Sequence, residues 1–451
     1  MGFKFRHGVA LLIPVSVFLG WAEPQVFLML FYSLLILWSD FQNLRLRRLD
    51  ISTAYALLLV LTSVSHIIAL FGLSDNPWFF LDSYPREVAS YAILIFNVGS
   101  ICLIEAMRTV LRSPIESEDY ALRRIVQAFP IFRLLAISII LFLVSVNFRA
   151  YLLALGSFGS FFSMMIEGSV LLLSFIAHYK KRFAIFVFVY TMFLSLWALQ
   201  YSYLRMEILI PVLAYLAGDL IAARSIRRMH ILSKGLLIAC IVIFPPLFTF
   251  LGSKRTKVWG EAKVAASLEL FEQSAPEDGQ TIMSRLSVVP QLSSIIKLTE
   301  KNGFYEGYTM QYFAYVLIPR FIWPEKPLIM QGQWFALEIG AAYKKKNGSA
   351  NNSINMTVPG EFYLNFGWPG VLLGSTLFGL FVGWIWSQTN YETIFGWVFR
   401  FYLIFLGLFS LGADLQIVPT LIAYVLLYHC MVFINSRVLT SHRNLPPLTA
   451  K

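Results

Sequence analysis

Uncharged apolar runs recur along most of this chain, and they limit its fold more than any other feature. They fall roughly at 8–22, 24–40, 52–73, 87–107, 129–147, 159–177, 183–204, 206–222, 233–252, 368–387, 396–412 and 416–435. A helix needs about 20 apolar residues to cross a bilayer. The shorter runs need tilt or neighbouring helices for support. The pattern predicts an all-α polytopic membrane protein with about twelve transmembrane helices. Only 14% of the residues are charged, against roughly a quarter in soluble domains. That deficit excludes an ordinary soluble enzyme and a disordered chain. The formal charge of +11 would suggest nucleic acid in a soluble protein. Here it follows from topology, and no nucleic-acid partner is implied. Cys102, Cys240 and Cys430 all lie in apolar runs. They supply neither a disulfide framework nor a zinc ribbon.

Cations set the orientation. Lys4/Arg6, Arg45/Arg47/Arg48, Arg108/Arg112/Arg123/Arg124, Lys180/Lys181/Arg182, Arg224/Arg227/Arg228 and Arg437/Arg443 occupy alternate loops. All fit the cytoplasmic side when both termini are inside. Lys4 and Arg6 ahead of a short apolar run also resemble a signal peptide. A second run follows at once after Ala22-Glu23-Pro24, which favours a helical hairpin over cleavage.

The organisation is then 1–252, an N-terminal bundle of about nine spans; 253–367, one large, partly helical outer loop; 368–435, about three closing spans; and 436–451, a cytoplasmic tail. Inside the loop, Ala262–Gln273 and Arg285–Leu298 have helical apolar spacing, and Tyr308–Trp323 is aromatic and amphipathic, suited to the membrane interface. Lys344–Ser353 reads as flexible. A structured loop of this size outside a helical bundle is usually functional.

Ionisable residues in apolar surroundings are expensive, so each is a candidate for chemistry. Arg205, at the outer end of a span, suits a phosphate; the alternative is a helix-end side chain reaching the interface. Arg133 and Arg400 fit that helix-end role better. His66 reads as a hydrogen-bonded core residue. Glu105 and Glu167 read as inter-helix contacts or cavity lining. In the outer loop, Arg320 and Lys326 flank Trp323 within Arg320-Phe321-Ile322-Trp323-Pro324-Glu325-Lys326-Pro327. They suit an anionic headgroup, as does Arg285 on the preceding helix, or they anchor the loop to anionic lipid. Pro359-Gly360-Glu361-Phe362-Tyr363-Leu364-Asn365-Phe366-Gly367 stands at the membrane re-entry. A carboxylate desolvated among aromatics gains proton affinity, which suits Glu361 as a general base. The alternative is a helix cap. Asp414, between the last two spans, is the reserve base. Tyr363 and Asn365 have groups for sugar hydroxyls, and Tyr308 and Trp323 have rings for sugar faces.

There is no P-loop, no Rossmann glycine pattern and no His/Cys metal spacing. No D-x-D occurs in the outer loops, so neither metal nor cofactor is implied. Sequons at Asn347, Asn351 and Asn355 matter only in a glycosylating host.

Gly307-Tyr308-Thr309, Ile318-Pro319-Arg320-Phe321-Ile322-Trp323-Pro324-Glu325-Lys326-Pro327 and Gly360-Glu361-Phe362-Tyr363-Leu364-Asn365-Phe366-Gly367 resemble the bacterial O-antigen and oligosaccharide repeat-unit polymerases. The order of spans, the Arg at the outer end of a middle span and the single large loop resemble them too. The resemblance implies a metal-independent glycosyltransferase of the membrane-embedded C-type superfamily, in the bacterial inner membrane with its site facing the periplasm. Such an enzyme moves a growing glycan from undecaprenyl diphosphate to the next lipid-linked repeat unit. Its partners are the lipid-linked donor and acceptor and the membrane lipid, with a chain-length regulator as a further one to test for. Arg205, Arg285, Arg320 and Lys326 would stabilise the diphosphate leaving group. Tyr308, Trp323, Tyr363 and Asn365 would bind sugar. The O-antigen ligases share the layout but rely on a His in the large loop, and this loop has none. A lipid-linked oligosaccharide flippase is a second alternative, though no paired halves or midplane charge cluster are visible. A non-catalytic role in envelope assembly is a third. Whether the product is O-antigen, capsule or exopolysaccharide stays open.

Overall fold

The computed structural model describes residues 2–18, 24–42, 50–70, 86–111, 130–148, 157–201, 205–223, 228–240, 242, 287–315, 318, 322–323, 325, 331–344, 350, 353–389, 394–409, 415 and 417–443. The described residues are helical, apart from loops and an isolated bridge between Lys344 and Ala350. In chain order the helices are α1 Gly2–Phe18, α2 Pro24–Gln42, α3 Ile51–Leu70, α4 Arg86–Val110, α5 Ile131–Asn147, α6 Ser157–Tyr179, α7 Ala184–Tyr201, α8 Arg205–Ala223 and α9 Ile231–Cys240. Then come α10 Val289–Asn302, a 3-10 turn Tyr308–Ala314, α11 Gln331–Glu338, α12 Val358–Ser387, α13 Ile394–Phe409 and α14 Ile417–Arg443.

Nearly every apolar run becomes one helix, within a few residues of its expected ends. Run length and composition are local properties, and a bundle leaves them intact. Twelve full spans, however, are not supported. Among the described residues three helices are long and apolar enough to cross a membrane: Ile51–Ile68, Glu87–Val110 and Val358–Ser387. The other apolar helices are shorter, 10–17 residues over their described parts. Three other boundaries differ from expectation. The run expected from 368 begins at Val358, so the Pro-Gly-Glu segment belongs to a helix and not to a loop. The helix expected over Arg285–Leu298 is Val289–Asn302. The last helix continues to Arg443, into the segment expected as tail. Ala262–Gln273 lies outside the described residues.

The helices form two groups. In one, α4 packs along the second half of α12, with α10 and α1 beside it, while α2 joins α1 to α3. In the other, α6 packs against α8 and α5. Helix α13 touches both α3 and α6 and links the groups. Close approach of α4 and α12 depends on small residues four apart. A Cβ on Gly379 would run into the Leu103 carbonyl, and one on Gly383 would crowd the Met107 carbonyl. His66 is a core residue, as expected. It is 1% exposed, and its Nε2 accepts the Val288 N–H at 3.3 Å, tying α3 to the start of α10.

Arg400 departs from its helix-end reading. It is buried, donates from Nε to Thr389 Oγ1 at 2.7 Å, and lies 4.9 Å over the Trp386 ring. The Thr389 acceptor and the Trp386 face satisfy it inside the bundle. Glu105 takes the inter-helix role. It receives Arg6 at 2.9 Å and the Tyr32 hydroxyl at 2.6 Å, joining α1, α2 and α4. One turn on, Arg108 grips Asp40 through two parallel bonds of 2.7 and 2.8 Å.

Candidate functional site

The opening of α12 is unusual as a helix. Thr357 caps it, accepting the Gly360 N–H at 3.1 Å, so the helix cap, the alternative role for Glu361, is supplied by another residue. Ten residues later Gly367 takes φ 62° and ψ −146°, which interrupts the helical series. A side chain there would be strained and would also meet the Phe304 ring. Pro369 has no N–H, so the Asn365 carbonyl has no donor four residues on. The segment after α10 takes up both orphans. Tyr305 N–H donates to Leu364 O at 3.1 Å, and Glu306 N–H to Asn365 O at 3.0 Å.

Side chains complete the joint. Glu361 and Asn365 are one helical turn apart and share a face. Asn365 Oδ1 accepts the Gly307 N–H at 3.0 Å, where the backbone is left-handed, φ 89°. Asn365 Nδ2 donates to Thr309 Oγ1 at 2.7 Å and to Glu361 O at 2.8 Å. The Thr309 hydroxyl donates to Glu361 Oε1 at 2.9 Å, and Leu415 N–H donates to Glu361 Oε2 at 2.9 Å. Glu361 is 0% exposed, and both of its carboxylate oxygens are engaged. One buried carboxylate thus joins α12, the 3-10 turn and Leu415, two residues before α14.

On the other face of α12, aromatics meet α4. Trp368 Nε1 donates to the Tyr91 hydroxyl at 2.7 Å, and the Tyr363 hydroxyl lies 3.4 Å from the same oxygen. The three rings pack edge to face, with centroids 5.9–6.3 Å apart.

The joint presents a ring cluster outward. Tyr305 and Tyr308 lie 5.3 and 5.5 Å from Trp334, which α11 supplies. Tyr308 is 50% exposed and Trp334 is half-buried. Asn302 Nδ2 holds the Tyr305 hydroxyl at 3.0 Å. Trp323 pairs with Tyr315 at 6.0 Å and is also exposed.

The predicted residues therefore separate. Tyr308 and Trp323 are exposed rings that can meet a ligand. Tyr363 and Asn365 are buried, and their polar groups are spent inside the protein, because α12 begins ten residues earlier than expected and carries them into the packed bundle. Arg285, Arg320, Lys326 and Asp414, and the side chain of Arg205, lie outside the described residues. Tyr305, Trp334, Thr309 and Tyr91 are additions. The triplet Gly307-Tyr308-Thr309 held the only sequence signal, since a glycine before a turn marks left-handed backbone. Among the described residues no three His, Cys, Asp or Glu converge to hold a metal ion.

Among the described residues, the fold and this joint define a helical protein, with three helices fit by length and composition to cross a membrane and a polar joint at the head of the last of them. Residues 55–442 match a family described as Domain of unknown function (DUF8712), and the chain belongs to that family. No curated protein matches the chain, and no solved structure does.

Proposed function

We propose that this chain is a multi-pass glycosyltransferase of the bacterial inner membrane. It polymerises lipid-linked oligosaccharide repeat units at the periplasmic face, moving the growing glycan from undecaprenyl diphosphate to the next unit. The observation that carries the reading is the joint of Glu361, Thr309 and Asn365, which holds the exposed ring of Tyr308 and the half-buried rings of Tyr305 and Trp334 beside the head of a long apolar helix. A lipid-linked sugar needs both parts of that arrangement. Its tail requires apolar helices, and its pyranose faces stack on aromatic rings at the polar end. The polymerase-like motifs at 307–309, 318–327 and 360–367 support the same reading, which takes the shorter apolar helices to cross with tilt and neighbours as part of a set of about twelve spans.

In this scheme the acceptor hydroxyl oxygen attacks the anomeric carbon of the donor glycan. The bond from that carbon to the phosphate oxygen breaks, and the diphosphate leaves with the electron pair. Arg205, Arg285, Arg320 and Lys326 spread the charge that grows on the leaving group. The hydroxyl proton passes to a carboxylate. With both Glu361 oxygens engaged, Glu361 serves as the positioning residue and Asp414 as the base. Asp414 forms the peptide bond whose N–H, on Leu415, binds Glu361. Attack from one face inverts the anomeric configuration.

The test is the glycan profile of cells lacking the gene, complemented at equal expression with wild type, a Tyr308→Ala/Trp334→Ala double variant, or Asp414→Asn. The expected result is single units accumulating on carrier lipid and loss of the ladder in the deletion and both variants. A normal ladder in the double variant overturns the ring assignment. A long ladder left on the carrier identifies a ligase. Units held on the cytoplasmic leaflet identify a flippase.

A further inference from the structure

A second site is built at the turn between α6 and α7, away from the joint just described. The chain there reads Lys180-Lys181-Arg182-Phe183, four residues between two apolar helices. Helix α6 ends in a Schellman motif. Arg182 N–H donates to Ala177 O at 2.9 Å, and Lys181 N–H to His178 O at 3.1 Å. The residue that must be left-handed in this motif is normally glycine. Here it is Lys181, with φ 52°, and Phe183 is left-handed as well, φ 64°. A non-glycine residue in that region costs roughly 1 kcal/mol. The motif does not need a lysine, so the side chain asks for a reason of its own.

The surroundings supply one. Lys181 lines an open cavity of about 530 Å³ with His230, Phe183, Ile185, Phe186 and Val189. His230 is fixed at the start of α9. Its backbone N–H donates to Asp219 Oδ2 at 2.9 Å, and its Nδ1 accepts the Leu232 N–H at 3.3 Å. That acceptor role leaves the ring proton on Nε2, so the ring has a donor to offer the cavity it lines. Asp219 is 2% exposed and spends its charge inward, on the His230 backbone and towards His178 Nε2 at 3.8 Å. The cavity's polar end therefore carries a cation and an N–H donor, with no carboxylate among the described residues that line it. Its other wall continues along α7, where Ile185, Phe186 and Val189 are 67%, 55% and 58% exposed.

We propose that this cavity binds one anionic glycerophospholipid. Its phosphate sits between Lys181 Nζ and the His230 Nε2 proton, and one acyl chain lies along Ile185, Phe186 and Val189. The order of chemistry along the cavity, cation and donor first and apolar wall second, is that of a phospholipid entering the bilayer. The site rests on the membrane reading and is independent of glycan transfer.

Native mass spectrometry of the full chain in detergent tests it, with phosphatidylglycerol and phosphatidylcholine of the same acyl chains. The expected result is one phosphatidylglycerol retained at concentrations where phosphatidylcholine is lost. Lys181→Asn removes the charge while keeping a residue tolerated in left-handed backbone. It should weaken retention about tenfold, the loss of one charge-assisted bond. Lys181→Arg should restore it, and Phe186→Ser should weaken it by a smaller factor. His230→Gln is informative only if its thermal unfolding matches wild type; Lys181→Asn decides alone otherwise. Equal retention of the two lipids overturns the proposal, as does a Lys181→Asn protein that binds like wild type. Displacement by millimolar glycerol phosphate overturns it in favour of a soluble phosphate ligand. A protein that fails to polymerise glycan and still binds the lipid leaves this site standing.

Discussion

Helix α4 holds a part-buried carboxylate network near its C-terminal end and meets an aromatic cluster near its N-terminal end, and the two solve the same problem differently. Tyr91 and Arg108 are separated by about 25 Å of helix at 1.5 Å per residue. At the Arg108 end the acids are paired with full charges. Arg108 forks onto Asp40, and Arg6 meets Glu105. At the Tyr91 end, α4 packs edge to face on α12, whose Glu361 is held by a hydroxyl and a backbone N–H. A guanidinium pair fixes helices rigidly but needs the charge on both partners. A carboxylate that accepts a hydroxyl and a backbone N–H is tied to particular backbone positions as well. The first arrangement suits a fixed base for the bundle, and the second suits a joint that places residues 303–315.

Amide substitution separates the two most sharply. Asp40→Asn leaves the part-buried Arg108 without its charge partner and should cost about 2 kcal/mol in a denaturant titration in micelles. Glu361→Gln keeps one acceptor oxygen and should cost only about 1 kcal/mol. Equal losses would break the distinction between a carboxylate forked by a guanidinium and one that accepts a hydroxyl and a backbone N–H. Similar in size is Glu361→Ala, which strands the Thr309 hydroxyl and the Leu415 N–H; a loss of about 2 kcal/mol is expected. Proteolysis of that variant should cut first within 303–315, since the joint holds that segment. Early cutting elsewhere would remove Glu361 from its positioning role.

Tyr91→Phe is a smaller change. It deprives Trp368 Nε1 of its acceptor and keeps the ring packing, for a loss of about 1 kcal/mol. Indole fluorescence should shift with it, and an unchanged spectrum would argue against that bond. The smallest effect is at Asp50, which caps α3 by accepting the Thr53 N–H at 2.9 Å. Burial pushes its carboxyl up from the ordinary range, against the Ser52 bond, and the nearby Asp40 adds to the rise. The folded state therefore binds this proton more tightly than the unfolded state. Its contribution is full below the unfolded value and is lost as pH rises to the raised folded value. Asp50→Asn keeps a capping oxygen and should flatten that part of the pH profile. An unchanged slope would assign it to another group.

Much of this was readable in advance. The helix positions were, because an apolar run of given length carries its own reason to be helical in a bilayer. His66 was too, since a lone imidazole in an apolar run must find a hydrogen bond. Arg400 was misread, because its acceptor Thr389 and its ring partner Trp386 become neighbours only when α13 packs against the end of α12. Trp334 had no signal at all, since an aromatic in an eight-residue helix looks like any core residue.

By itself the sequence determined the class of architecture, the order of its helices and the importance of Gly307–Thr309 and Gly360–Gly367, because all of these rest on local composition and backbone allowance. The tertiary structure alone decided which polar groups face a ligand and which hold the protein together. Tyr91 and Trp368 are 277 positions apart, and Arg6 and Glu105 are 99 apart. Pairings at such separations are chosen by packing, and no run, period or short motif records them. For the same reason Asn365 and Tyr363, promising as sugar ligands in the chain, became internal bonds once α12 closed on α4 and the 3-10 turn.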